Sequence, residues 1–170
     1  RHLEAVHRTP VGVNKRALII GGGMSGMNAA LTLAAAGHPV TLVERSEVLG
    51  GHVRSLYSTA EGADPQAYLF SMVHRVLQEP LITVFLDSEV VHHEGFVGNF
   101  RARIDVHRGD PAHRHIVDVE HGVTIVATGG QEFHGSVYLL GQHERVMTQQ
   151  ELERLILVNP GRIAQMSTFV

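Results

Sequence analysis

The feature that most constrains this chain is a glycine-rich turn that follows a short apolar run. The run, residues 17–20, is bounded by glycine, which is typical of a strand buried on both faces of a parallel sheet. Gly21, Gly23 and Gly26 then give the spacing G-x-G-x-x-G, and a helical pattern of small residues begins. A strand, a glycine turn and a helix in this order predict a βαβ unit that binds a dinucleotide.

Each glycine of the turn has a mechanical reason. Gly21 lets the chain turn tightly, Gly23 lets the backbone approach a diphosphate, and Gly26 lets the helix pack closely on the strand. The amides of Met24, Ser25 and Gly26 open the helix and have no partner within it, so they can bind the diphosphate together with the helix dipole. We therefore predict a diphosphate site that needs no lysine or arginine.

The following residues complete the unit. Gly37 stands where a left-handed C-cap belongs, and residues 40–43 predict a second buried strand. Glu44 follows at the carboxyl end of that strand, where a carboxylate accepts hydrogen bonds from a ribose 2′-hydroxyl and would repel a 2′-phosphate. NADP is therefore disfavoured. The helix residues expected to face the sheet recur at helical spacing and are Met27, Ala30, Leu31 and Ala34.

A second glycine pair follows the acidic residue. Gly50 and Gly51 favour a flavin over a nicotinamide, because such a turn brings backbone alongside the diphosphate and ribityl chain of FAD in two-dinucleotide flavoproteins. Arg45 and His52 flank this segment and are candidate cofactor-binding residues. Whether His52 tunes the flavin or only fills space is left open by the sequence.

A third segment also points to the nucleotide. Residues 122–126 form a short apolar run that continues into Ala127, Thr128 and Gly129. We expect this strand to return to the first sheet, with its glycine end close to the ligand, because ligands bind outside the carboxyl ends of parallel strands.

The remaining elements follow from local patterns. A helix is expected to begin with Asp64 as its N-cap and Pro65 at its first position, and to end before Pro80. Strands are expected to follow at residues 81–86 and 89–91. Residues 100–106 and 115–119 alternate around a turn at 108–111 and predict a β-meander at about 100–120. The last helix is expected at 149–157, with a capping box from Thr148 and Glu151. The residues expected to face inward are Leu69, Met72, Val73, Val76 and Leu77 in the first helix and Leu152, Leu155 and Ile156 in the last.

These elements predict an α/β fold, a Rossmann-like parallel sheet with the G-x-G-x-x-G unit plus a small antiparallel β-meander. A net charge of −3 gives no basic footprint for nucleic acid or an anionic membrane surface. Apolar runs stay below the ~20 residues of a membrane span, and we expect no membrane insertion and a cytoplasmic location. Without cysteine, these residues hold neither a disulfide nor an iron–sulfur cluster.

Thirteen histidines raise the question of a metal site. His107, His113 and His115 cluster around the predicted turn, but no carboxylate or cysteine spacing completes a recognisable ligand set. A solvated loop is the better interpretation, and no metal is expected. His92 and His93 are expected to be exposed residues at the end of a strand.

The three nucleotide segments together resemble the FAD domain of glutathione-reductase-like flavoproteins. More narrowly, the chain resembles the A-type subunit of heterodisulfide reductase and its bacterial relatives, which are iron–sulfur flavoproteins. The segments that carry this narrower resemblance are residues 11–16, 61–69, 94–100, 138–141 and 146–153, of which Phe-Val-Gly-Asn-Phe is the most family-specific.

The resemblance implies FAD as cofactor and a parent protein that is an FAD-dependent oxidoreductase. It implies that the flavin takes two electrons and passes them to iron–sulfur clusters, with other subunits of an electron-transfer complex as partners. It also implies that the backbone of Val90 brackets the adenine, although a plain core valine is an equally good interpretation. No catalytic acid, base or nucleophile can be nominated.

The chain is expected to divide into a lead-in at 1–16, the FAD-binding domain at 17–157 and the start of a further strand at 158–170. A later glycine–aspartate segment that holds the ribityl chain in such flavoproteins is absent before Val170. We therefore expect FAD to be absent or weakly bound, and the isolated fragment to be inactive.

Two alternatives remain open from the sequence. The segment 49–52, Leu-Gly-Gly-His, is also compatible with a flavin amine-oxidase or desaturase-like enzyme. The other alternative is a non-enzymatic assembly module that keeps the nucleotide fold without its ligand.

Overall fold

The computed structural model describes residues 12–59, 61–107, 109–133 and 135–166. Most of the expected lead-in, Arg108 of the predicted turn and residues 167–170 lie outside these ranges. The strands are β1 (Ala17–Ile20), β2 (Val40–Val43), β3 (Ile82–Phe85), β4 (Glu89–Phe96), β5 (Asn99–Val106), β6 (His115–His121) and β7 (Val123–Val126). The helices are α1 (Met24–Ala35), α2 (Pro65–Gln78), α3 (Gln149–Val158) and α4 (Pro160–Ala164), with short 3₁₀ helices at Gly51–Ser55 and Val137–Leu139.

The parallel sheet has the strand order β3-β2-β1-β7. β1 pairs with β2 on one side and with β7 on the other, in matching register from Ala17 to Ile20. Leu18 and Ile19 point to opposite faces and are both fully buried. The predicted two-faced burial of this strand and the return of the third segment to the first sheet are confirmed.

Helices α1 and α2 cover one face of this sheet. Met27, Ala30 and Ala34 are buried against it and Leu31 is half-buried, as predicted. The Asp64 side chain accepts hydrogen bonds from the amides of residues 66 and 67, which explains where α2 begins.

The apolar stripe of α2 is narrower than expected. Leu69, Met72 and Val76 are buried, but Leu77 is exposed, so the inward placement predicted for Leu77 is wrong. Leu77 lies one residue after Val76 and therefore about 100° around the helix axis from it, beyond the edge of the buried stripe.

The opposite face of the parallel sheet is covered by an antiparallel sheet of order β4-β5-β6. Ala102, Ile104 and Val106 of β5 pack with Leu18 and Val43 in a second apolar cluster. The fold thus has three layers, and the predicted fold class is confirmed.

The meander begins earlier than the sequence predicts. β4 runs from Glu89 to Phe96 and turns through Val97 and Gly98 into β5, so that the predicted extended piece at 89–91 is the start of a full strand. The sequence of β4 does not alternate between polar and apolar residues, because most of its side chains are exposed to solvent. A bulge between Val90 and His92 also interrupts the period of two.

Helix α3 begins with the predicted capping box, in which Thr148 and Glu151 satisfy each other's backbone amides. Of the three residues expected to face inward, Leu152 and Leu155 are half-buried, but Ile156 is exposed, so its predicted placement is wrong. Residues 160–164 form α4, capped by the Asn159 side chain, where the sequence suggested the approach to a strand. Pro160 fits the first helical position, which favours this helix locally.

None of the helices in the described ranges combines the length and the apolar character that a membrane crossing requires.

His107, His113 and His115 are exposed, and the Nδ1 atom of His113 lies 2.6 Å from Asp110 Oδ2.

An ion pair with a buried carboxylate joins the two strands of the β5–β6 hairpin at its turn end. Arg114 donates through Nε to Asp105 Oδ1 at 2.9 Å and through Nη2 to Oδ2 at 2.6 Å. The pKa of Arg114 is raised, mainly by these hydrogen bonds and to a smaller extent by the negative charge of Asp105. Asp105 is only 4% exposed, so its carboxylate depends on protein donors in place of water.

The variant Asp105→Asn is expected to lower the free energy of unfolding by about 1–3 kcal/mol, because an amide cannot accept both guanidinium bonds. Asp118→Asn is the matched control, since Asp118 pairs with Arg103 on the same hairpin but is exposed. Urea unfolding followed by circular dichroism measures both. Equal stability of the two variants would contradict a structural role for the buried carboxylate.

Candidate nucleotide-binding site

The glycine turn is held between the ends of β1 and β7. Gly21 has a φ of +112°, and a Cβ atom on it would overlap the Ala127 carbonyl oxygen. A Cβ atom on Gly26 would overlap the Gly21 carbonyl oxygen. The amide of Ala127 donates to the Ile20 carbonyl at 2.8 Å. Close backbone packing therefore requires glycine at both positions, in the roles that the sequence predicts for them.

The N-terminus of α1 opens beside this turn. Gly23 is the N-cap residue, in extended backbone with φ −74° and ψ −175°, and no side chain caps the helix. A Cβ atom on Gly23 would meet no heavy atom within 4 Å. The space beside Gly23 is therefore open, and no side chain caps the first amides of α1, those of Met24 and Ser25 among them. This is the arrangement in which a helix N-terminus binds a phosphate.

Glu44 lies at the carboxyl end of β2 and reaches the same turn. Its Oε2 atom accepts a hydrogen bond from the Gly22 amide at 2.5 Å, and its Oε1 atom accepts one from the Ser46 amide at 2.8 Å. Each carboxylate oxygen has two lone pairs and can accept one further hydrogen bond. The two backbone bonds thus fix the carboxylate next to the open helix end and leave acceptor capacity for a hydroxyl group.

The sequence interpretation assigned no role to Gly22, and the structure gives it one. A Cβ atom on Gly22 would lie 2.9 Å from Glu44 Cβ and 2.5 Å from Leu49 Cδ2. A side chain here would displace Glu44 from the turn. The signal in the sequence was the third consecutive glycine, which the G-x-G-x-x-G pattern does not require.

The second glycine pair packs directly on the first. The Gly50 amide donates to the Gly22 carbonyl at 2.9 Å, and Gly23 and Gly50 form an isolated parallel bridge. Gly50 and Gly51 have φ angles of +126° and +52°, and a Cβ atom on Gly51 would lie 3.2 Å from Gly23 Cα. The two glycine turns therefore form one continuous backbone surface, and only glycine suits the conformation at Gly50.

Other candidate residues lie at varying distances from this surface. Thr128 and Gly129 follow Ala127 and are exposed, while Arg45 and His52 are exposed on the loop between β2 and α2. Val90 is half-buried and packs into the cluster between the two sheets. It lies two residues after Ser88, whose amide donates to the Glu44 carbonyl at 2.9 Å.

The comparisons with known proteins agree with this geometry. A family model described as an NAD(P)-binding Rossmann-like domain matches residues 19–78, which include both glycine turns and Glu44. The chain is 40% identical over 107 residues to the A 2 form of the CoB–CoM heterodisulfide reductase iron-sulfur subunit from Methanopyrus kandleri. That match covers 62% of this chain and 16% of the relative.

Over about 60% of its length, the chain is similar to A-type subunits of heterodisulfide reductase from several organisms. The resemblance inferred from the sequence is thereby confirmed, although the chain spans only a small part of the length of these relatives. It is also 36% identical over 104 residues to the L-amino acid oxidase Lm29 of Lachesis muta, in a match that covers 57% of this chain and 20% of that protein.

A solved structure shares the fold. The crystal structure of L-proline dehydrogenase from P. horikoshii has a TM-score of 0.56 at 23% identity, covering 79% of this chain and 26% of that chain. At this identity the likeness supports the Rossmann-type architecture alone.

The described residues fit a dinucleotide. The uncapped end of α1 supplies amide donors for a diphosphate, the open space at Gly23 gives access to them, and Glu44 supplies a fixed acceptor for a sugar.

Proposed function

We propose that this chain binds the ADP half of FAD and forms part of an FAD-dependent oxidoreductase of the heterodisulfide reductase A type. The observation that carries the proposal is the Glu44 carboxylate, held by the Gly22 amide directly beside the uncapped N-terminus of α1. A carboxylate beside an uncapped helix N-terminus supports the proposal, because the ADP half of a dinucleotide needs a sugar acceptor and a phosphate site at neighbouring positions.

The proposed roles follow from the chemistry of each group. The amides that open α1 bind the diphosphate, and Glu44 accepts from the adenosine ribose. The backbone of Gly50 and Gly51 borders the diphosphate, and Ala127 closes the other side of the turn. Bound FAD supplies two-electron redox chemistry, while this chain binds and orients it. The remaining candidates for the outer part of the site are Arg45, His52, Val90, Thr128 and Gly129.

The fixed carboxylate also determines which nucleotide is accepted. Because both Glu44 oxygens are bound by backbone amides, the negative charge cannot swing away from a 2′-phosphate. Repulsion at this short range excludes a 2′-phosphorylated nucleotide. FAD and NAD lack that phosphate, and the second glycine pair favours FAD.

The variant Glu44→Gln is expected to weaken ADP binding about tenfold, which corresponds to about 1.4 kcal/mol. The carboxamide would place an N–H against a backbone N–H, and the sugar would lose its charged acceptor. Isothermal titration with ADP and with ADP carrying a 2′-phosphate measures this in the wild type, in Glu44→Gln and in the exposed control Glu47→Gln.

The wild type and Glu47→Gln are expected to bind ADP and to reject the 2′-phosphorylated form, whereas Glu44→Gln loses this discrimination. Equal affinity for both nucleotides in the wild type would contradict the role of Glu44. If ADP does not bind to the folded wild type, the proposed function is wrong and the non-enzymatic module is favoured.

We propose that the parent protein passes electrons from the flavin to iron–sulfur partners, as the names of its heterodisulfide reductase relatives suggest. A second candidate, a flavin amine oxidase, is favoured by the match to the L-amino acid oxidase from Lachesis muta. Iron content of the parent protein purified without oxygen supports the first, whereas peroxide formed from L-amino acids by an iron-free protein supports the second.

A further inference from the structure

The turn between β3 and β4 contains an aspartate in a left-handed backbone conformation. Asp87 has a φ of +45°, which is uncommon for a residue other than glycine. It is half-buried and lies two residues after β3, the strand that pairs with β2. Aspartate and asparagine adopt this conformation more readily than other side chains, because their short polar groups form local hydrogen bonds. The sequence interpretation assigned no role to this residue.

Both the side chain and the main chain of Asp87 are bound to distant parts of the chain. Its Oδ2 atom accepts a hydrogen bond from the Gly109 amide at 2.8 Å, which ties the turn between β5 and β6 to the end of β3. Its own amide donates to the Ser46 carbonyl at 2.9 Å. A Cβ atom on Gly109 would lie 3.1 Å from the same Oδ2 atom, so glycine lets the two turns approach closely. Hydrogen bonds on two sides thus hold the backbone of Asp87.

Ser46 connects this turn to the proposed sugar acceptor. Its amide donates to Glu44 Oε1 at 2.8 Å, while its carbonyl accepts from Asp87. The main chain of Glu44 is bound separately, since its amide donates to the Phe85 carbonyl at 2.8 Å and its carbonyl accepts from the Ser88 amide at 2.9 Å. The backbone of Glu44 is therefore fixed without Asp87, whereas the bond to its Oε1 atom depends on the position of Ser46.

We infer that Asp87 is a positioning residue for the Glu44 carboxylate, and that it acts through its left-handed backbone and the Ser46 peptide. The inference rests on the proposed function, in which Glu44 accepts from the adenosine ribose and repels a 2′-phosphate. Asp87 acts through Ser46 and not by contact with the nucleotide. It also links the β5–β6 turn of the meander to the nucleotide end of the parallel sheet.

Residue 87 must stay left-handed for these hydrogen bonds to persist. Alanine at this position would lack the carboxylate that binds Gly109 and would favour a negative φ. Relaxation of φ would shift the turn and draw the amide of residue 87 away from the Ser46 carbonyl. Asparagine suits the left-handed region, and its side-chain oxygen can still accept from Gly109. The two substitutions therefore separate the positioning role from the negative charge of Asp87.

Isothermal titration of the full chain with ADP and with ADP carrying a 2′-phosphate measures the effect. Asp87→Ala is expected to weaken ADP binding about threefold and to reduce the discrimination against the 2′-phosphorylated form by a similar factor. Asp87→Asn is expected to keep the wild-type values. Asp118→Ala is the matched control, because it removes an exposed carboxylate of the meander that pairs with Arg103. Circular dichroism checks that each variant is folded.

Amide hydrogen exchange followed by NMR gives a second measurement that needs no nucleotide. The Ser46 amide is expected to be protected in the wild type and in Asp87→Asn, and to exchange about tenfold faster in Asp87→Ala. The Gln66 amide, bound by Asp64 at the start of α2, is the internal control. Its rate is expected to stay unchanged, which distinguishes a local effect at Ser46 from a general loss of stability.

Unchanged nucleotide discrimination in Asp87→Ala, an equal loss in Asp87→Asn or Asp118→Ala, or an unchanged exchange rate of the Ser46 amide would each overturn the positioning role. Failure of the folded wild type to bind ADP would instead contradict the proposed function. The exchange rates would then still decide whether Asp87 orients the Glu44 carboxylate through Ser46.

Discussion

Gly26→Ala is expected to lower the free energy of unfolding by about 3 kcal/mol, at the upper end of what overpacking costs. The added Cβ atom would overlap the Gly21 carbonyl oxygen, which is backbone and cannot rotate away. The Gly21 amide is itself bound to the Val43 carbonyl at 2.8 Å. Relief of the overlap therefore requires α1 to move away from β1, and urea unfolding followed by circular dichroism measures the loss.

Gly130→Ala is the matched control for this prediction. A Cβ atom on Gly130 would meet nothing within 4 Å, and its φ lies outside the left-handed region, so that stability is expected to stay unchanged. If Gly26→Ala were as stable as Gly130→Ala, close packing of α1 on the glycine turn could not be the reason for glycine at that position.

Gly23→Ser is expected to keep the stability of the wild type but to weaken ADP binding at least tenfold. Gly23 is an N-cap residue in extended backbone, where serine is as favourable as glycine or better by a few tenths of a kcal/mol. The serine hydroxyl would accept from the first amides of α1 and occupy the place of the diphosphate. Chemical unfolding and titration with ADP measure the two effects.

Asn28→Ala serves as the control, because it changes an exposed side chain near the start of α1, outside the proposed site, and leaves the N-cap free. It is expected to keep both stability and ADP affinity. Wild-type ADP affinity in Gly23→Ser would contradict a diphosphate at the helix end, even if ADP binds elsewhere on the chain.

The glycine turn and the elements on either side of it were predictable because their residues act through local geometry. The positions of Gly21, Gly26 and Gly37 follow from a turn, a close approach and a C-cap, each of which has one residue type that suits it. Glu44 was predictable because a parallel strand delivers the residue after it to the ligand edge of the sheet.

The remaining features depend on contacts distant in sequence. The role of Gly22 arises from Glu44 and Leu49. His92 and His93 are exposed, as expected, but they lie inside β4 and not at the end of a strand, and the His93 ring contacts His121 and Thr124. In exposed strands such as β4, polar and apolar residues do not alternate regularly, because most side chains contact solvent whichever face they lie on. The outward position of Ile156 likewise reflects how little of α3 packs on the described core.

The place of β7 in the sheet affects how this chain folds. β1 lies near the beginning of the described residues, yet one of its two partners follows the whole β-meander. Closing so long a loop costs conformational entropy before any contact is gained, and non-local parallel pairing is slow. During synthesis, β1, β2 and α1 would therefore emerge from the ribosome with one strand edge uncovered, a stage at which chaperones protect nascent chains from aggregation.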